Sequence, residues 1–112
     1  MTESRTASAG ACFRAAVEHE RPLQVVGAVN ALCALLAERA GFRTLYLSGA
    51  GVANASHGLP DLAVTTLQDV LEDARRITAA TDLPLLVDAD TGWGSGLMIE
   101  RTVRELTRAG VA

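Results

Sequence analysis

Apolar residues along this chain fall into two patterns that alternate, short continuous runs and longer stretches at helical spacing. Leu23 to Ala28 (LQVVGA) is a short run that predicts a buried strand. Asn30 then stands as N-cap of a helix over Ala31 to Ala40, and Gly41 falls where a C′ glycine ends it. Thr44 to Ser48 (TLYLS) mixes β-branched, aromatic and aliphatic residues and predicts a second strand. A long loop, Gly49 to Val64, is expected next. Thr66-Leu67-Gln68-Asp69 resembles a capping box, and Leu67, Val70, Leu71, Ala74 and Ile77 continue from it at helical spacing.

The segment Leu83-Pro84-Leu85-Leu86-Val87 predicts a third strand, with Pro84 near its start, where a missing amide donor matters least. Consecutive apolar positions suit burial on both faces, as in a parallel sheet. Past the glycine-rich turn Gly92 to Gly96, Ile99, Val103 and Leu106 mark the expected inner stripe of a helix that ends near Ala109, with Gly110 as C′ residue. At the other end, Cys12 to His19 predicts a short helix with Phe13, Ala16 and Val17 on one face. Residues 1–10 are small and polar and predict a loose arm.

The order βαβαβα, with short helix-to-strand links and longer strand-to-helix loops, is that of a parallel α/β series. Arg39-Ala40-Gly41 and Arg108-Ala109-Gly110 close two of its helices in the same way. A closed (β/α)8 barrel takes about 250 residues, and three units leave apolar sheet edges open. Residues 11–112 are therefore expected to be the first three units of a TIM-type (β/α)8 barrel, truncated. A small doubly wound sheet is the rival, but Gly92-Trp93-Gly94-Ser95-Gly96 is GxGxG rather than the dinucleotide-binding GxGxxG.

Composition narrows the function classes. With 112 residues, 49% hydrophobic and 21% charged, the chain is ordinary for a packed domain. A net charge of −3 offers no basic face for nucleic acid or an anionic membrane, and no run approaches the roughly 20 apolar residues of a spanning helix. The first twenty residues carry Glu3, Arg5, Arg14, Glu18 and Glu20 and lack an apolar core, so no secretory leader is expected. Cys12 and Cys33 read as free thiols of a cytoplasmic protein, Cys33 as a core residue.

The candidate chemistry clusters at strand ends. Asp88 and Asp90 stand two positions apart after the third strand, so the pleat is expected to point both carboxylates to one side. Mg²⁺ takes such oxygen ligands, and a barrel's active site lies at this mouth. The alternative is that one Asp caps the loop and the other is solvated. Ser48-Gly49-Ala50-Gly51 could hold a carboxylate through backbone amides, or be an ordinary turn. Tyr46 points to the barrel interior or to the helix layer. Asp61, in Gly58-Leu59-Pro60-Asp61, lies in a loop long enough to be functional, or is a turn acid. His57 has no evident partner and reads as a loop histidine. Trp93 lines a pocket mouth or packs on the rim.

LYLSGAGVA, GLPDLAVTTL and ITAATDLPLLVDADTGWG, in that order and spacing, resemble the isocitrate lyase and phosphoenolpyruvate mutase superfamily from about Phe13 to Ala112. Within it the similarity is greatest to members that cleave 2-methylisocitrate, or a related 2-hydroxy tricarboxylate, to pyruvate and succinate. The resemblance implies a Mg²⁺-dependent carbon–carbon lyase on a (β/α)8 barrel, assembled as a homo-oligomer, a tetramer by analogy, acting on a small carboxylate. It implies substrate contacts at Ser48, Gly49, Ala50 and Tyr46. Asp88 and Asp90 match the metal-site acids, and Asp61 matches the acid that supports the metal's water shell. Relatives with Gly at position 50 leave more space there than Ala50 does. The lyases' catalytic cysteine has no counterpart here and is expected beyond residue 112. Phosphonate-forming mutase, phosphonopyruvate hydrolase and oxaloacetate decarboxylase chemistry remain open, as does a non-catalytic, truncated fragment.

Overall fold

The computed structural model describes residues 7–112. Three parallel strands, β1 (Val25–Gly27), β2 (Thr44–Leu47) and β3 (Leu85–Val87), form one sheet in the order β1-β2-β3. Five helices accompany them: α1 (Ala9–His19), α2 (Ala31–Arg39), α3 (Gly49–Gly51), α4 (Leu67–Ala80) and α5 (Leu97–Arg108). Among the described residues no helix is long and apolar enough to cross a membrane.

Local chemistry sets most helix ends. The Asn30 Oδ1 accepts from the Cys33 amide at 2.8 Å. Thr66 and Asp69 complete the predicted capping box, the Thr66 amide donating to Asp69 Oδ2 at 2.8 Å and the Asp69 amide to Thr66 Oγ1 at 3.3 Å. The two Arg-Ala-Gly segments end their helices alike. Gly41 and Gly110 take φ of 92° and 82°, and Phe42 and Val111 each donate to a carbonyl five residues back, Ala37 at 3.2 Å and Leu106 at 3.1 Å. Ala112 then returns to the sheet, its amide donating to the Leu85 carbonyl at 2.9 Å.

Helix α1 begins at Ala9, earlier than the apolar spacing indicates, because Ser8 caps it by accepting from the Ala11 amide at 3.2 Å. Of the expected arm, residues 1–6 lie outside the described residues, and Ala9 and Gly10 are helical.

The core lies on one face of the sheet. Leu45, Leu47 and Leu85 pack with Ala34 and Ala37 of α2 and with Val70, Ala74 and Ile77 of α4. Leu67 and Leu71 form a second cluster with Leu106 and Ala109. The other face is open, and the row Gly27, Tyr46, Leu86 runs across it in register. Leu86 is 42% exposed, which corrects the expectation that β3 is buried on both faces. Alternation along β3 puts Leu85 under α4 and leaves Leu86 on the uncovered side.

Two further expectations change. Helix α5 buries Thr102 and Leu106, while Ile99 and Val103 are 43% and 61% exposed. A stripe through Met98, Thr102, Leu106 and Ala109 also has helical spacing, and a threonine in it hides that stripe from a purely apolar reading. The segment after β2 is not an open loop throughout, since α3 runs directly into a π-helical turn, Val52–Ser56, whose Val52 and Ala53 are buried.

Candidate functional site

Parallel pairing brings the C-terminal ends of β2 and β3 to one edge, and the candidate residues gather there. The Asp88 amide donates to the Leu47 carbonyl at 3.0 Å, extending the ladder past β3. Alternation from Leu86 then turns the Asp88 side chain to the open face, as alternation from Tyr46 turns Ser48. The same register settles Tyr46 itself on the open face, away from the helix layer.

Asp90 arrives by a different route from the one its spacing suggests. The strand ends at Val87, Gly92 donates to the Ala89 carbonyl at 2.8 Å, and Asp90 has φ 45°. A left-handed turn, rather than the pleat, brings its carboxyl beside that of Asp88, both facing Gly49. The Asp90 amide in turn donates to Asp88 Oδ1 at 3.1 Å, and the Gly49 amide donates to Asp88 Oδ2 at 3.2 Å. The Asp88 carboxylate is thus fixed by two backbone donors. Gly49 is required for closeness, because a Cβ there would stand 3.1 Å from Asp88 Oδ2 and 3.9 Å from Asp90 Oδ1.

The local field is strongly negative. Although Asp90 is exposed overall, partial withdrawal of its carboxyl from water, then the charges of Asp88 and Asp61, raise its affinity for a proton. Burial and the charges of Asp88 and Asp90 likewise push the Tyr46 phenol up, so it remains a hydrogen-bond donor. Among the described residues, no Arg or His forms an ion pair with Asp61, Asp88 or Asp90. Nor is any group of three His, Cys, Asp or Glu side chains among them placed to hold a metal ion. Two carboxylates with a third nearby nonetheless fit a hard divalent cation that fills its shell with water and ligand oxygens.

Asp61 and Asp90 both line a cleft of about 500 Å³, with Thr65 and Trp93 in its wall. Trp93 lines this cleft and also packs on the core, and its Nε1 donates to the Thr65 carbonyl at 3.2 Å. Ser48 Oγ accepts from the Gly51 amide at 3.2 Å, which leaves its hydroxyl hydrogen to donate. The Gly49 amide, expected to be free for a ligand, is committed to Asp88.

Some polar contacts near the site have no motif behind them. Asp73, 5% exposed, accepts from Ser56 Oγ at 2.6 Å and pairs with Arg76 at 3.6 Å, tying the π-helical turn to α4. Its signal is an acid at helical spacing among Val70, Ala74 and Ile77, since a charge so placed requires a partner. His57, read as partnerless, lies 3.6 Å from Asp69 Oδ1. The Thr66 amide holds the Asp69 carboxyl below the usual range against the effect of burial, and the Thr66 hydroxyl and His57 add to that.

Both cysteines are remote from the acids. Cys33 packs against the core from α2. Cys12 lines a cavity of about 570 Å³ with Leu83 and Pro84, at the opposite end of β3.

A parallel sheet with its helices, carrying two carboxylates at its C-terminal edge, defines the class as a parallel α/β protein with an acidic mouth. The chain belongs to the phosphoenolpyruvate phosphomutase family, whose model matches residues 13–112. It is 62% identical over 107 residues to the 2-methylisocitrate lyase of Shewanella oneidensis, covering 96% of this chain and 37% of that protein. It therefore spans little more than a third of that relative's length. Among solved structures it resembles 2,3-dimethylmalate lyase, a PEP mutase/isocitrate lyase superfamily member, with a TM-score of 0.83 and 38% identity over 96% of this chain and 38% of that one. A phosphonopyruvate hydrolase in complex with oxalate and Mg²⁺ superposes with a TM-score of 0.79 at 32% identity, over 94% of this chain and 37% of the other.

Proposed function

We propose that this chain supplies the Mg²⁺-binding and carboxylate-binding part of a carbon–carbon lyase site on a (β/α)8 barrel. The substrate is 2-methylisocitrate or a related 2-hydroxy tricarboxylate, and the products are pyruvate and succinate. The observation that carries this reading is the pair Asp88 and Asp90, with Asp61 lining the same cleft as Asp90 and, among the described residues, no Arg or His ion-paired to any of the three. Similarity to a 2-methylisocitrate lyase supports the reaction, and a relative that binds oxalate with Mg²⁺ supports the metal and the ligand class.

Asp88 and Asp90 hold the cation, and Asp61 acts through its water shell. When bound, Mg²⁺ supplies Lewis-acid stabilisation of the negative charge that develops on the pyruvate fragment as the bond breaks. The chain's own residues orient the substrate. The Ser48 hydroxyl donates to a carboxylate, Ala50 narrows the same corner, and the protonated Tyr46 phenol offers a second donor on the open face. The Gly49 and Asp90 amides keep Asp88 in one orientation, so that the acidic pair is formed before the ligand arrives. Among the described residues no cysteine thiol stands at this mouth to serve the departing fragment as acid, with Cys12 at the far end of the strands and Cys33 against the core. The 112 residues alone accordingly bind ligand without turning it over.

A chimera tests this. Residues 13–112 replace the matching segment of the Shewanella oneidensis enzyme, and pyruvate release from 2-methylisocitrate is measured. Retained cleavage, lost on Asp88→Ala, is expected. A folded chimera that binds Mg²⁺ but does not cleave this substrate would overturn the lyase assignment.

A further inference from the structure

We propose that Thr102, on the buried side of α5, is a positioning residue for Asp90. It holds the 90–96 turn in the shape that directs the Asp90 carboxyl toward Asp88. The inference rests on the metal reading given above.

The turn runs through backbone conformations that favour glycine, with φ of 45° at Asp90, 88° at Gly92, 58° at Trp93 and 53° at Gly96. Asp90 and Trp93 carry side chains, so their left-handed backbone has to be held by contacts elsewhere. Those contacts come largely from α5. A Cβ on Gly92 would stand 3.0 Å from Ile99 Cγ1, and one on Gly94 would stand 2.8 Å from Met98 Cβ. The turn therefore lies flat on the first turns of that helix, closer than any side chain would allow.

Thr102 provides the polar hold. It is 2% exposed, and its Oγ1 donates to the Gly92 carbonyl at 2.8 Å across ten residues of sequence. Gly92 is itself buried, so its carbonyl would lack a partner without that hydroxyl. The Gly92 amide meanwhile donates to the Ala89 carbonyl. Asp90 is thus bracketed, its own amide fixed to Asp88 on one side and the Gly92 peptide fixed between Ala89 and α5 on the other. Loss of the hydroxyl releases the second bracket and lets the carboxyl move without touching either metal-site acid.

The test uses Mn²⁺ alone as probe, titrated into the chain and its variants well below their unfolding temperatures. Free Mn²⁺ is read by electron paramagnetic resonance and the bound ion by quenching of Trp93, the chain's single tryptophan. Thr102→Val and Thr102→Ala, with far-UV dichroism unchanged, are expected to weaken Mn²⁺ binding by roughly 10-fold or more, the scale of lost outer-shell support at metal sites. Thr102→Ser keeps the hydroxyl and is expected to bind as the parent does. If the valine variant does not fold, the alanine variant decides, since it leaves room for a water at the carbonyl.

A purely structural role would lower the unfolding temperature and leave Mn²⁺ affinity unmoved in folded variants, which overturns the inference. A serine variant as weak as the valine one overturns it too. Absence of Mn²⁺ binding by the parent chain overturns the metal reading and this inference together, whereas parent binding with unaffected variants overturns the inference alone.

Discussion

Replacing Asp90 by asparagine separates what the acidic pair costs the fold from what it contributes to binding. The Asp88 charge raises the proton affinity of Asp90, whose amide donates to Asp88 Oδ1 at 3.1 Å. Two unit charges about 4 Å apart repel by about 1 kcal/mol in water and about 4 kcal/mol at a dielectric constant of 20. Asp90 is exposed and Asp88 is half-buried, so solvent screening puts the gain from Asp90→Asn near the lower figure, about 1 kcal/mol. For a domain of this size that raises the metal-free unfolding temperature by roughly 4 °C. Saturating Mg²⁺ should reverse the order, because the parent gains about 2.7 kcal/mol at a hundredfold excess over its dissociation constant and the variant gains little.

The pH dependence has a fixed sign. The folded-state pKa of Asp90 lies above its ordinary value of 3.8. The folded chain therefore binds this proton more tightly than the unfolded chain. That contribution is fully present below 3.8 and is lost as pH rises through the raised value. The advantage of the asparagine variant should accordingly appear above 3.8 and grow with pH. Thermal unfolding of both proteins, in chelator and in Mg²⁺, measures all of this. A lower metal-free unfolding temperature for Asp90→Asn, or an undiminished Mg²⁺ shift, would refute the reasoning.

Other substitutions probe the supports of the site. Gly49→Ala brings a methyl group to 3.1 Å from Asp88 Oδ2 and should weaken Mg²⁺ binding at least roughly 10-fold by calorimetry, with the helical dichroism retained. Ser56→Ala removes the donor to the buried Asp73 carboxylate and should cost about 1.5–3 kcal/mol in urea unfolding. Thr66→Ala breaks the capping box and should cost about 1 kcal/mol, with amide exchange rising first at the start of α4.

The sequence exposed those features whose physics is local. The caps at Asn30 and Thr66, the C′ glycines at 41 and 110, and the apolar stripe of α4 each depend on neighbours within a few residues, and each lies where the pattern places it. The parallel order followed from alternation of the two periods. Features set by distant partners were not legible. Thr102 lies on the buried stripe of α5 because it meets the Gly92 carbonyl, and no local pattern signals that. The two acids were visible as a pair, yet Asp90 approaches Asp88 through a left-handed turn that alternation along a strand does not predict. His57 has its partner Asp69 because it follows the π-helical turn, which brings it to the start of α4.

The most direct test of the central claim is calorimetric titration of oxalate into this chain, once with Mg²⁺ and once with chelator. The account predicts saturable oxalate binding that requires Mg²⁺ and disappears in the Asp88→Asn, Asp90→Asn double variant with the fold intact. Oxalate binding that is equal with and without Mg²⁺, or that survives in the double variant, would contradict it.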